Sequence, residues 1–72
     1  MTKIGDYLIK KSASKAEIAR KTGISKSRLS ELSNNENTNL KASELYLIAL
    51  ALDVDPVEVL EVTCGDLKLK VQ

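Results

Sequence analysis

The stretch Ser14-Lys15-Ala16-Glu17-Ile18-Ala19-Arg20-Lys21-Thr22-Gly23-Ile24-Ser25-Lys26-Ser27-Arg28-Leu29-Ser30 decides how this chain is read. It spells a short helix, a tight turn at a glycine, and a second short helix. Ser14 stands where the first helix must start. Glu17, three residues on, completes a capping-box pattern in which each side chain satisfies a backbone N–H of the other. Gly23 ends the helix, since glycine enters the left-handed conformation cheaply. Ser25 caps the second helix. Ile18 points inward, and small Ala19 lets another helix approach. The pattern is that of a helix-turn-helix.

The second helix runs from about Ser25 to Ser33. Leu29 and Leu32 give it only a narrow apolar stripe, and Lys26, Ser27, Arg28, Ser30, Glu31 and Ser33 make the rest polar. A helix held by so thin a stripe leaves most of its surface free for a partner. In a helix-turn-helix that partner is double-stranded DNA, whose major groove receives the second helix.

Outward from this unit, the spacing predicts a first helix from about Lys3 to Lys11, with Ile4 and Leu8 on one face. Asn34 to Asn39 reads as a polar loop. A fourth helix runs from about Lys41 to Leu52, with Leu45, Ile48, Ala49 and Leu52 toward the core. Asp55-Pro56-Val57-Glu58 opens a fifth helix: Asp55 caps, Pro56 takes the first helical position, and Glu58 completes a second capping box. Val57 and Leu60 are assigned to its inner face. The expected fold class is all-α, a compact five-helix domain over residues 1–63. Residues 64–72 form a C-terminal tail. There Asp66-Leu67-Lys68-Leu69-Lys70-Val71 alternates polar and apolar, a strand signal. Two readings stand for it: a strand that pairs with the same strand of a second subunit, or a frayed terminus.

Composition bounds the chemistry. A chain of 72 residues makes one domain and buries only ~60% of the surface its unfolded form exposes. Cys64 is the only cysteine and there is no histidine, which argues against a disulfide framework and a Cys/His zinc site. Cys64 reads as a small apolar filler rather than a reactive thiol. No metal and no cofactor is expected. The longest apolar run, Leu45 to Leu52, is far short of the ~20 residues of a membrane span. Met1 to Asp6 carries charge where a signal peptide needs its apolar core. The expectation is a cytoplasmic protein with no membrane partner.

The net charge of +1 hides an uneven distribution. Residues 1–30 hold Lys3, Lys10, Lys11, Lys15, Arg20, Lys21, Lys26 and Arg28 against Asp6 and Glu17, a net +6. Residues 31–72 hold Lys41, Lys68 and Lys70 against Glu31, Glu36, Glu44, Asp53, Asp55, Glu58, Glu61 and Asp66, a net −5. The basic half suits a polyanion.

The order of these elements resembles the Xre-type helix-turn-helix family, to which lambda repressor and Cro belong. The resemblance covers roughly residues 3–62 and rests on Ser14-Lys15-x-Glu17-Ile18-Ala19-x-x-Thr22-Gly23-Ile24-Ser25-x-Ser27-x-Leu29-Ser30. It continues at Leu45-x-x-Ile48-Ala49-x-Ala51-Leu52-x-Val54-Asp55-x-x-Glu58-Val59-Leu60. It implies a lambda-repressor-like five-helix domain that binds operator DNA as a dimer. Lys15 falls where the family commonly has a glutamine touching phosphate. Lys26, Ser27 and Arg28 fall on the opening turn of the recognition helix, where members contact base edges, and Ser30 and Glu31 lie further along it. The segment Ser33 to Leu40 lacks the glycine and proline that members often carry, which leaves its path over the DNA backbone open.

Side-chain chemistry divides the work. Lys15 and the free N–H groups opening helix 2 suit a phosphate, as do Ser25 and the start of helix 3. Arg28 is the chosen base reader, since a guanidinium bonds guanine O6 and N7 together. Ser27 suits a base or a phosphate, Lys26 a guanine or the backbone, and Asn35, Asn37 and Thr38 the backbone. The plainer reading is that Lys26 and Arg28 solubilise an exposed helix and that Glu31 pairs with Arg28 at i,i+3, competing with base reading.

One recognition helix reads few base pairs, so a homodimer is expected, its two recognition helices ~34 Å apart. Tyr46, Leu47, Leu50, Val54, Val59 and Val62 are the apolar residues beyond core needs, and two readings stand for them: some form that contact together with the alternating tail, or they cover the small core from outside. The leading function is a sequence-specific transcriptional regulator, a repressor since no activation or ligand domain is visible. The alternative is a protein-interaction module, or the antitoxin of a toxin–antitoxin pair, built on the same fold. An enzyme is not expected: no histidine, no glycine-rich phosphate loop and no paired carboxylates beyond Glu58 and Glu61 stand ready.

Overall fold

Capping residues set where the helices of this chain begin. In a computed structural model, which describes residues 1–70, the Thr2 hydroxyl accepts the Gly5 N–H at 3.0 Å and opens α1, Lys3–Lys10. Ser14 accepts the Glu17 N–H at 3.2 Å and opens α2, Lys15–Thr22. Ser25 accepts the Arg28 N–H at 3.0 Å and opens α3, Lys26–Asn34. Lys41 precedes α4, Ala42–Leu52, and its N–H is taken by the Glu44 carboxylate at 2.9 Å. Asp55 accepts the Val57 N–H at 2.9 Å, with Pro56 at the first position of α5, Pro56–Cys64. These are the five expected helices, shifted by one residue at some ends.

The expected capping box of α2 is only half formed, and that of α5 does not form, Asp55 capping Val57 instead of Glu58. Glu17 turns to Arg20, with bonds of 2.7 and 2.9 Å, instead of back to Ser14. Glu58 turns to the Tyr7 hydroxyl and the Lys11 ammonium instead of back to Asp55. In both cases a charged partner within reach makes a stronger bond than an exposed backbone N–H.

Ile4, Tyr7, Leu8, Ile18, Leu29, Leu32, Ile48, Ala49 and Val59 form the core. α1 packs on α3 and α5, α2 on α3 and α4, and α4 on α5. Leu45 and Leu52 pack against this core half-buried, as expected of them. The inner face of α5 is a correction. Val59 is fully enclosed, while Val57 and Leu60 are 57% and 47% exposed. Apolar residues at 57, 59, 60 and 62 leave the rotation of this helix unreadable from spacing alone. The enclosed slot against α1 and α4 takes Val59, which therefore leaves the set of residues free for a subunit contact. Val54 is half-buried against the core and leaves it too.

After α5 the chain turns at Gly65 and Asp66, and Lys3 pairs with Asp66. Leu67–Lys70 carries no helix or strand, and Leu67 and Leu69 are exposed. Val71, the end of the expected strand, lies outside the described residues. Among the described residues no helix is long and apolar enough to cross a membrane.

Candidate nucleic-acid interface

The turn between α2 and α3 is built by two residues. Gly23 takes φ +80°, the left-handed region, and its N–H reaches the Ala19 carbonyl at 3.0 Å. Thr22 donates its hydroxyl to the Ile18 carbonyl at 2.7 Å and accepts the Ile24 N–H at 3.1 Å. Ile24 then packs half-buried against the core. The angle between the two helices is thus fixed by backbone geometry and one hydrophobic anchor.

α3 is held from below by Leu29, Leu32 and Ser33, all buried, and the Ser33 hydroxyl donates to the Leu29 carbonyl. Successive helix residues turn by about 100°. Ser27 and Glu31 therefore lie opposite the buried stripe, with Ser30 beside them and Lys26 at the edge of the stripe, in the first turn. Lys26, Ser27 and Glu31 are exposed and Ser30 is half-buried. The Lys26 and Ser27 N–H groups belong to the first turn and have no carbonyl to meet inside the helix.

Arg28 lies elsewhere. It sits on the flank of α3 that leans toward α4, with its side chain 27% exposed. Its Nε donates to Glu44 Oε2 at 2.8 Å and its Nη2 to Glu44 Oε1 at 3.0 Å. Nη2 also donates to the Asn39 carbonyl at 2.9 Å, and Nη1 to Glu31 Oε1 at 2.8 Å. The Arg28 bonds hold the Glu44 carboxyl below the usual carboxylate range, against the penalty of its own burial. The same bonds, and those from Glu31, raise Arg28 further above its already high value. Glu44 is a residue the sequence reading passed over. Its position three residues after Lys41 marks it as a helix-opening carboxylate, but nothing local ties it to α3.

Lys15 is half-buried at the first position of α2, and Lys26 is exposed at the first position of α3. Among the described residues neither has an ion-pair partner, whereas Lys3, Lys11, Arg20 and Arg28 each do. The loop after α3 is ordered by its own groups: the Asn35 side chain accepts the Asn37 N–H at 2.9 Å, and its carbonyl accepts the Thr38 N–H at 3.1 Å. Asn35 and Asn37 are exposed and Thr38 half-buried. So Ser25, Lys26, Ser27, Ser30 and Glu31 share α3 and its cap, Lys15 stands on the neighbouring helix, and the loop residues follow α3. Arg28 alone is drawn away, into a part-buried contact with Glu44.

No curated protein and no solved structure matches the chain. The sequence model of the Cro/C1-type HTH DNA-binding domain does match, over residues 3–65. That span takes in all five helices, the Gly23 turn and the exposed first turn of α3, and the chain belongs to the family of Cro/C1-type helix-turn-helix DNA-binding domains.

Proposed function

We propose that this domain is a sequence-specific transcriptional regulator, a repressor, that lays α3 in the major groove of duplex DNA. One observation carries the reading. The first turn of α3 offers Lys26 and Ser27, exposed and uncommitted among the described residues, in a family of DNA-binding domains. Lys26 and Ser27 read base edges. Glu31 faces the same way as Ser27, and its second carboxylate oxygen suits a cytosine amino group. Lys15, the Ser25 end of α3, Ser30 and the loop residues Asn35, Asn37 and Thr38 hold phosphates and fix the register. Repression needs nothing beyond occupancy of a site that overlaps a promoter. Residues 1–63 act as the DNA-binding unit and 64–72 as its tail. A DNA partner assigns the protein to the cytoplasm, and the reading calls for no metal or cofactor.

The unit of binding is a homodimer. Tyr46, Leu47 and Leu50 recur at i, i+1 and i+4 on α4 and are all exposed, as is Val62 on α5. They supply the apolar patch such a contact requires.

The test is selection from a random duplex library, followed by affinity at two salt concentrations. A palindromic motif with half-sites about one helical turn apart is expected. Salt-sensitive binding without an enriched motif reduces the function to non-specific association. No binding at low salt ends the DNA reading in favour of a protein-interaction module or antitoxin.

A further inference from the structure

We propose that Arg28 does not read a base but is a positioning residue, clamping the recognition helix to the loop and to α4 through Glu44 and Asn39. This deepens the DNA-binding reading of α3 and rests on it.

A guanidinium has five N–H bonds, and Arg28 commits four of them inside the domain. One remains, on Nη1. Bidentate reading of guanine O6 and N7 takes two at once. Giving up the exposed Glu31 bond leaves both free N–H bonds on Nη1, whereas the parallel fork uses two nitrogens, so Nη2 or Nε must leave Asn39 or Glu44. The Glu44 side chain is only 11% exposed. Stripped of Arg28 it becomes a nearly buried carboxylate without its counter-charge, and such a group is costly to leave. The same carboxylate also holds the Lys41 N–H that opens α4. Releasing Arg28 from Glu44 therefore unties α3 from the carboxylate that opens α4 to gain one base contact.

The clamp has a second effect. Glu31 and Glu44 put two negative charges beside the helix proposed to meet a polyanion, and Arg28 lies between them. Its Nη2 bond to the Asn39 carbonyl spans 11 residues of sequence and fixes the far end of the loop carrying Asn35, Asn37 and Thr38. That loop has neither glycine nor proline to set its course. Its own Asn35 turn shapes the near end, and Arg28 anchors the far one.

The experiment measures binding of the wild type, Arg28→Ala, Arg28→Lys, Glu44→Ala and the Arg28→Ala/Glu44→Ala pair to the selected duplex and to all of its single-base variants. Arg28→Ala is expected to weaken every duplex by a common factor of about tenfold, with the preference at each base pair unchanged. Glu44→Ala behaves alike, and the double variant is no weaker than Arg28→Ala alone, since one contact is broken either way. Should Arg28→Ala fail to fold, Arg28→Lys, which keeps the charge but not the fork, gives the same readout. A preference flattened at one base pair by either Arg28 variant overturns the proposal, and so does an unchanged affinity. If the wild type binds no duplex at all, the DNA reading fails on its own account. Hydrogen exchange then decides the clamp: faster exchange of the Lys41 amide, which Arg28's partner Glu44 holds, in Arg28→Ala supports it, and unchanged exchange overturns it.

Discussion

Gly5 and Gly23 are both small for a reason, and the reasons differ. At Gly5, α1 crosses α3 so closely that a Cβ would overlap the Ser33 carbonyl oxygen. Backbone cannot give way as a flexible side chain does, so Gly5→Ala is expected to cost ~1–3 kcal/mol by urea unfolding, with the m-value unchanged. At Gly23 there is open space around the missing Cβ, but φ is +80°. Gly23→Ala is expected to cost ~1–2 kcal/mol through backbone strain alone. Gly23 was legible in the sequence, because a glycine between a helix pattern and a serine cap is a local signal. Gly5 was not, since its constraint comes from a carbonyl 28 residues away. Arg28 follows the same rule. Its i,i+3 pairing with Glu31 was visible in the spacing, while its bidentate bond to Glu44 joins residues 16 apart.

At the scale of elements, α1 and α5 are joined by one polar knot. The buried Tyr7 donates its hydroxyl to Glu58, which also meets the Lys11 ammonium at 3.3 Å. Burial, then the bond to Glu58, push the Tyr7 hydroxyl up to about 12. The Tyr7 bond, then Lys11, hold the Glu58 carboxyl below its usual value of 4.5. The signs follow from linkage. A tyrosine raised on folding contributes stability below its ordinary value of 10.0, which is lost as pH climbs toward 12. A glutamate lowered on folding contributes stability above 4.5, which is lost as pH falls below it. Tyr7→Phe is expected to lower the melting temperature at neutral pH and to flatten its decline between pH 10 and 12, as followed by circular dichroism. The helices themselves were readable from caps and apolar spacing. Their joints were not: Tyr7 and Glu58 are 51 residues apart, and Thr2, whose hydroxyl donates to the Leu32 carbonyl at 2.7 Å, is 30 from its partner.

At the scale of the molecule, ion pairing redistributes the charge. Four basic residues of the N-terminal half are spent on carboxylates, and Lys15 and Lys26, at the openings of α2 and α3, stay available among the described residues. Lys15→Ala is expected to weaken all duplexes alike and to reduce the slope of log affinity against log salt by ~1 per monomer, measured by fluorescence anisotropy. If the proposed homodimer forms through the exposed apolar side of α4, Leu50→Glu is expected to reduce the sedimenting mass to that of one chain, while changing the unfolding of the single chain by less than ~0.5 kcal/mol. A chain truncated after Gly65 that keeps the dimer mass rules out pairing through the tail. The basic half was legible as a sum over residues. Which of its charges remain available needed the fold. The Lys3–Asp66 pair and the packing of α1 on α5 have one more result. They bring the first and last helices of the domain side by side, and with them Met1 and Asp66. A short glycine-serine link from Asp66 to Met1, with a new opening between α4 and α5, should yield a circular permutant whose α2–turn–α3 unit is untouched.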